Sequence, residues 1–544
     1  MARQAKRTSG NRFATVPQID TPRSTFGRQH GYRTTLSEAN LVPIFWDEIL
    51  PGDTVNLTTR MFCRAATPLR PIFDDMFIDT QTFFVPNRLL WENWQRFMGE
   101  RDPDPDSSID YEVPIATAPT GGYDNETLQD YLGLPTLQAG IVHNTLPIRA
   151  YAKIFNDWYR DQLLVDSIPL NRDDGPDPVT DVVLQKRAKR KDYFTSALPS
   201  PQRGPDVLLP LGTSAPLTGF ATILGSAAPT FVNAAGGTAG ALIDQTGVPP
   251  ANVQFAGNGV GTGNNLNWNT PNLFLDGPTS GLSADLTAAT GASINEIRAS
   301  IQAQRFYEKE ARGGTRYVES LKVQFGVTSP DQRLQRSEYL GGSSSKFNVY
   351  PVAQTSNNDT QDTPQGTLTA YVTGQGQSSV TKSFTEHGII MTIASIRATV
   401  TYQQGLAKKW SRSTRFDYAF PVFAHLGEQE VLSKELYADG DPSTTTGDNS
   451  VFGYQPRYEE YRYFPNTITG KFRSNDPQSL DIWHLAQEFA TRPVLNQDFV
   501  TESPPIERVV AVTDEPHFFL DVFHDLKHTR PLPMSGTPGM MDHF

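Results

Sequence analysis

Apolar and polar residues alternating at period two, in segments separated by connections far longer than a hairpin turn, most constrain what this 544-residue chain can fold into. Val55, Leu57, Thr59, Met61 and Cys63 form one mostly apolar face, and Asn56, Thr58 and Arg60 the other, which is the pattern of a half-buried strand. Met76, Ile78, Thr80, Thr82 and Phe84 alternate with Phe77, Asp79, Gln81, Phe83 and Val85 behind a proline-bounded turn at Pro68 and Pro71. From Ile389 to Tyr402 both faces are strongly apolar, as in a strand covered on both sides. Further strands are expected within Val451–Phe472 and Arg508–Leu526. Widely spaced strands without an internal repeat suit an all-β sandwich of two antiparallel sheets.

Helices interrupt the pattern twice. Ile148, Tyr151, Ile154, Phe155, Trp158, Tyr159 and Gln162 recur at helical spacing behind Thr145 and Pro147, predicting an amphipathic helix with proline in its first turn. A second is predicted from Ser293 to Ala311, where Ser293 and Glu296 match capping-box spacing and Gly313–Gly314 supply a stop.

Composition bears on partners. The 42 glycines and 41 prolines mark a loop-rich globule, and the net charge of −12 argues against a uniformly basic nucleic-acid binder. Charge is uneven, however. Arg3, Lys6, Arg7, Arg12, Arg23, Arg28 and Arg33 stand against Asp20 alone in the first 33 residues, a basic arm on an acidic body. Gly204 to Ile297 contains no lysine or arginine and is rich in glycine, alanine, threonine and asparagine; it reads as a long surface insertion or a flexible loop, with Phe220, Phe231, Phe255, Trp268 and Phe274 as scattered anchors. The single cysteine, Cys63, excludes an intrachain disulfide and paired-thiolate zinc motifs, and is expected to be a buried, inert thiol. No apolar run is long enough to span a membrane, and the polar N-terminus does not read as a signal peptide.

Candidate chemistry is sparse. No phosphate-cradling loop or nucleophile elbow occurs. Asp102, Asp104 and Asp106 start like a calcium loop but have Ser107 at the glycine position and Val113 at the last ligand position. His517, His524 and His528 read as surface histidines beside a strand end rather than metal ligands. No catalytic residue, metal or cofactor is nominated. Lys186, Arg187, Lys189, Arg190 and Lys191 form the densest basic cluster, suited to phosphates or an acidic neighbour, or simply a solvated loop face. A carbohydrate-binding β-sandwich would share the loops and aromatics but is expected to have a signal peptide or cysteine pairs. A glycoside hydrolase needs two carboxylates roughly 5 to 9.5 Å apart across a cleft, and no constellation nominates them.

Six blocks in register carry a family resemblance: Leu334–Ser343 (LQRSEYLGGS), Ser383–Gly388 (SFTEHG), Thr401–Gly405 (TYQQG), Ala424–Gln429 (AHLGEQ), Ile482–Gln487 (IWHLAQ) and Arg530–Gly539 (RPLPMSGTPG). They resemble the major capsid protein of the gokushovirus branch of the Microviridae, apart from Ser337, where proline is frequent, and the stretch near Met534, where a tyrosine is usual. The resemblance implies an eight-stranded antiparallel jelly roll of viral capsid type, with long loop insertions containing several α-helices. It further implies sixty copies in a T=1 icosahedral shell around circular single-stranded DNA, assembled in the host bacterial cytoplasm, and no enzymatic activity. The expected organisation is a basic, interior-facing arm (1–35, with Arg3, Lys6, Arg7 and Arg12 towards DNA), a first jelly-roll part (36–203), a surface insertion (204–292) and the remaining strands (293–544). The insertion, with Phe231, Phe255, Trp268 and Phe274, would form threefold protrusions that meet a host surface receptor. Implied partners are the chain itself, the genome, a small basic DNA-packaging protein and a minor pilot protein.

Overall fold

Nine strands of the computed structural model join in one antiparallel sheet: β1 (Ser24–Gly27), β2 (His30–Leu36), β3 (Val42–Ile49), β4 (Thr54–Ala65), β5 (Met76–Pro86), β6 (Glu338–Ala353), β7 (Leu368–Ser383), β8 (Gly388–Ala398) and β9 (Phe518–Arg530). The structure describes residues 22–100, 111–205, 207, 294–314, 316–328, 335–356 and 364–535, and four short strands between 217 and 284. The order is β1-β9-β4-β7-β6-β5-β8-β3, with β2 also on β9. β1 runs beside Lys527–Arg530 and β2 beside Phe518–His524, so the two share one edge and nine segments fill eight strand positions.

Long β6 turns the sheet into a sandwich. Glu338 to Lys346 pair with β5, whereas Phe347 to Ala353 pair with β7. The resulting halves, β1/β2-β9-β4-β7 and β6-β5-β8-β3, enclose a core contributed by both: Leu36, Met61, Cys63, Val372, Leu520 and Val522 from one, Val42, Ile44, Ile78, Phe347 and Ile396 from the other. This is the eight-stranded jelly roll. β6 and β7 have no counterpart among the expected strands because their inward positions include glycine and serine. A Cβ on Gly374 would lie 3.0 Å from the Phe347 ring, and one on Gly376 2.8 Å from Met61 Cε. Close packing of large neighbours removes the apolar alternation.

β4 and β5 lie where alternation predicts them. β8 is buried at every position, as its two apolar faces require. Helix α1 (Leu146–Ile154), continued by a π-type turn at Phe155–Tyr159, covers its outer side; all of α1 except Lys153 is buried. Ile148, Tyr151 and Phe155 pack in one cluster with Phe83, Met391 and Ile393. Tyr151 donates its hydroxyl to Leu41 O (2.9 Å) and accepts from Gln185 N (3.0 Å). Just before β6, buried Ser337 donates its N–H (2.9 Å) and hydroxyl (2.8 Å) to Asp157 Oδ2. A proline at this position would lack both donors.

Helices α2 (Ile294–Gly313) and α3 (Tyr317–Phe325) follow, the latter ending in left-handed Gly326 (φ 70°). Two strand expectations are corrected. Within Val451–Phe472 only Val451–Pro456 is a strand, paired with Glu428–Leu432, because Pro456 and left-handed Tyr458 (φ 67°) end it. The last strand starts at Phe518 rather than Arg508. The chain forms two compact units, one of residues up to Pro201 with Glu310 onward, the other Gln202–Lys309. In the second, Arg203 N donates to Tyr307 O (3.3 Å), Phe231–Asn233 pairs with Leu273–Leu275, and Leu217–Thr218 with Ser283–Ala284. Phe231 and Phe274 thus belong to a short ladder, while Phe255 and Trp268 lie outside the described residues. So do Arg3, Lys6, Arg7 and Arg12 and the acidic run at Asp102–Asp106; residues 24–27 and 30–35 of the expected arm lie in strands β1 and β2.

Candidate assembly surface

The β8–β9 connection (399–517) is held in place by the residue blocks that carry the family resemblance. Gln403 accepts from Ser474 N (2.9 Å), and Gln404 exchanges bonds with Phe489 N (2.8 Å) and O (2.9 Å). A Cβ on Gly405 would lie 2.0 Å from Glu435 O, so only glycine lets these backbones meet. Buried His484 holds Phe472 O through Nε2 (2.6 Å), and Arg508 donates to His484 O (3.0 Å) and Ala486 O (2.7 Å). These side chains fix loops.

The scaffold presents three short 3-10 turns, Lys408–Ser411, Arg415–Asp417 and Pro421–His425. The Asp417 carboxylate accepts from Thr414 N (2.6 Å) and Ser413 N (2.8 Å), and these bonds hold its carboxyl below the usual range. Large apolar side chains point outward from this ribbon: Val422 is 84 % exposed, Phe464 79 % and Trp410 74 %, with Phe416, Tyr418 and Leu426 also exposed. Cations lie among the rings, Lys409 5.4 Å from Phe464 and Arg412 4.4 Å from Tyr461. Contiguous aromatic and aliphatic surface interleaved with arginine has the composition of a protein–protein interface.

The basic cluster divides by side. Asn40 bridges Lys186 and Ala188 bridges Thr501, giving this run strand-like alternation. Arg187 points inward to Asp79 (2.8 Å) and Glu502 (3.4 Å), and Lys189 to Gln487 Oε1 (2.8 Å), 4.4 Å over Phe499. Burial pushes Lys189 down to about 8 and Glu502 up to about 7. Asp79 is affected by burial in the same upward sense, but the Ser344 hydroxyl and the Arg187 and Arg397 guanidiniums outweigh it and hold the carboxyl below its usual value. Lys186, Arg190 and Lys191 are exposed, Lys191 pairing with Asp161. The alternation visible here was obscured in sequence by five cations in six residues.

The histidines are not on the surface. His517, His524 and His528 occupy buried sites, the last two on the inward face of β9. His528 Nε2 meets Asp53 Oδ2 (2.8 Å), His517 Nδ1 meets Glu38 (2.6 Å), and His524 lies between Ile44 O and Thr59 Oγ1, each at 3.1 Å. Burial pushes His524 down to about 4. They share the phase of Leu520, Val522 and Leu526, a signal available in the sequence. Among the described residues no three histidine, cysteine or acidic side chains converge to hold a metal. Cys63 is buried and burial pushes its thiol up, away from reactivity. No described helix is long and apolar enough to cross a membrane.

The chain was compared with known proteins. The capsid protein VP1 of Bdellovibrio phage phiMH2K is 45 % identical over 541 residues, covering 98 % of each chain. That of Chlamydia phage 1 is 42 % identical over 584 residues (97 % of this chain, 98 % of the relative), and that of Spiroplasma virus 4 is 35 % identical over 542 residues (95 % of each). With a family model for the capsid protein (F protein) matching residues 14–540 of a jelly roll whose long loops expose an assembly surface, the chain belongs to the phage capsid protein (F protein) family.

Proposed function

We propose that sixty copies close into a T=1 icosahedral shell around a circular single-stranded DNA genome, assembled in the host bacterial cytoplasm. The protein is structural and non-enzymatic, and membership of its family implies self-assembly into a virion shell. The observation that carries the reading is the exposed aromatic ribbon of the β8–β9 connection, built on a jelly roll with buried interiors. Arg3, Lys6, Arg7 and Arg12 face the genome, directly or beside a small basic packaging protein, and exposed Lys186, Arg190 and Lys191 add phosphate contacts while Arg187 and Lys189 brace the fold. The glycine-rich 204–292 segment, with Phe231, Phe255, Trp268 and Phe274, contributes to attachment at a host surface receptor, and a minor pilot protein accompanies the shell.

Electron microscopy of the purified full chain tests this reading. Uniform closed shells of sixty subunits are the expected result, and a stable monomer or an open lattice overturns it. Replacing residues 204–292 with a short linker is expected to leave shells intact and abolish adsorption to host cells; undiminished adsorption removes the attachment role.

A further inference from the structure

The outer face of β2-β9-β4-β7 carries an ordered pattern of rings and cations that neither the core nor the assembly ribbon uses. β9 presents Phe519, Asp521 and Phe523 outward, and β4 presents Arg64, Phe62 and Arg60. The register sets Phe519 opposite Arg64, Asp521 opposite Phe62, and Phe523 opposite Arg60, so rings alternate with guanidiniums along β4 and with Asp521 along β9. β2 adds Arg33 beside Asp521, and β7 adds Gln375 and Gln377 beside Phe62 and Arg60.

Several features of this face point to its occupant. Phe62 is 44 % exposed and Phe519 and Phe523 42 % each, so flat ring surface faces outward on a rigid sheet. Directly opposite positions on neighbouring strands are about 5 Å apart and diagonal ones about 7 to 8 Å, which spaces the rings for successive bases rather than stacking them on one another. Arg60 and Arg64 make no hydrogen bond or ion pair among the described residues, whereas Arg33 pairs with Asp521 (3.3 Å). None of the outward positions of β4 and β9 is aliphatic, unlike the assembly ribbon with its Val422 and Leu426. Lys527 lies further along the same face, and the two acids of β9 there are engaged, Asp521 by Arg33 (3.3 Å) and Asp525 by Gln29 Nε2 (2.8 Å). The chain leading from the basic arm enters this sheet at Ser24, on the β9 edge. An open groove of about 1170 Å³ runs over part of the face, lined by Arg33, Phe62, Arg64 and Phe519 with Asp521, Glu126 and Asp130, while Arg60 and Phe523 lie outside it.

We propose that this sheet face is a binding platform for single-stranded DNA, with bases stacking on Phe62, Phe519 and Phe523 and phosphates held by Arg60 and Arg64. The proposal rests on the genome-enclosing reading above and deepens it by assigning a base-contacting site distinct from the arm. Stacking on exposed rings is sequence-tolerant, as a shell lining any part of a genome requires, and unpaired guanidiniums gain more from phosphate than paired ones.

Binding of the purified full chain to labelled oligothymidylate, and to an abasic oligonucleotide of equal length, distinguishes the possibilities. Phe62→Ala, Phe519→Ala and Phe523→Ala are each expected to weaken oligothymidylate binding by about fivefold or more and leave abasic binding unchanged. Phe62→Tyr keeps a ring and is expected to retain affinity, which separates lost stacking from a damaged fold. Arg60→Gln and Arg64→Gln weaken both probes, each lowering the slope of log K against log salt by about 0.7. If the ring variants bind normally while deletion of residues 1–22 removes binding, the platform is overturned and the arm alone meets DNA. If the ring variants bind DNA normally but fail to form shells, the face is a subunit interface and the proposal is wrong. A wild-type chain that binds neither probe overturns the genome-enclosing reading itself.

Discussion

The two halves of the jelly roll are built from similar lengths of antiparallel strand but are finished differently. β6-β5-β8-β3 is sealed on its outer side by α1 and the segments around it, and every residue of β8 is buried. β1/β2-β9-β4-β7 leaves its outer side to solvent, and β9 alternates buried and exposed residues along most of its length. One sheet therefore serves as the structural spine and the other offers a free surface, and mutations should divide along that line.

The largest contrast is between Met391 and Phe523. Met391 is fully buried under α1, so Met391→Asp places a carboxylate where no partner waits, at an expected cost of about 4 kcal/mol or more and with loss of soluble protein. Phe523→Asp on the open face is expected to shift stability by about 0.5 kcal/mol or less. Urea unfolding midpoints measure both, and equal losses would mean that the open face is covered in the folded protein. Next comes Arg149, 2 % exposed in α1, which donates to both oxygens of Asp177 (2.7 and 2.5 Å), to Leu90 O (3.1 Å) and to Asp173 O (3.0 Å). Arg149→Ala strands a largely buried carboxylate and two carbonyls and is expected to cost about 3 to 5 kcal/mol. Smaller is Ser337→Pro, which removes two bonds to Asp157, expected to cost about 2 kcal/mol by thermal unfolding. A neutral or stabilising result would show that Asp157 finds other donors.

What the sequence disclosed follows the same division. Strands with one wet face, such as β4, advertise themselves by alternation, and β8 advertises double burial by being apolar throughout. β6 and β7 were hidden because Gly374 and Gly376 make room for Phe347 and Met61, a fact about neighbours far away in the chain. Strand order was hidden for a related reason: β5 pairs with β6 across a 251-residue connection, from 87 to 337, whose length no local signal explains. The resemblance supplied what periodicity lacked, since two of the quoted blocks contain the loop-fixing residues Gln403, Gln404, Gly405 and His484. The ring-and-arginine pattern on β9 and β4 was present in the letters, but it becomes a surface only when the register sets Phe519 beside Arg64.

The smallest net effect expected is the most diagnostic, because a buried group on β9 and one packed against the end of β8 titrate in opposite senses. His524, inward on β9, faces Thr59, Ile44 O, the Phe45 ring and His30, whose ring centroid is 5.0 Å away; its pKa is pushed down from 6.5 to about 4 by burial, and nearby His30 acts in the same direction. The unfolded chain then takes up a proton before the folded one, so stability falls as pH drops from 6.5 to 4. Glu502 accepts the N–H of Ala398 (2.9 Å) at the end of β8, beside Arg187, Arg397 and Asp79, and burial pushes it up from 4.5 to about 7. Here the folded chain holds the proton more tightly, so stability rises as pH drops from 7 to 4.5. Each contribution is on the order of 2 kcal/mol, and the two are of opposite sign between pH 4.5 and 7. His524→Gln should leave a protein that gains stability on acidification, and Glu502→Gln one that loses it. The carboxyls of Asp47 and Asp79 are held below the ordinary value of 3.8 and lose their stabilising contribution only below this window. If both variants respond to pH alike, the opposing titrations do not reside in these two residues, and the sheets are not distinguished by their buried charges.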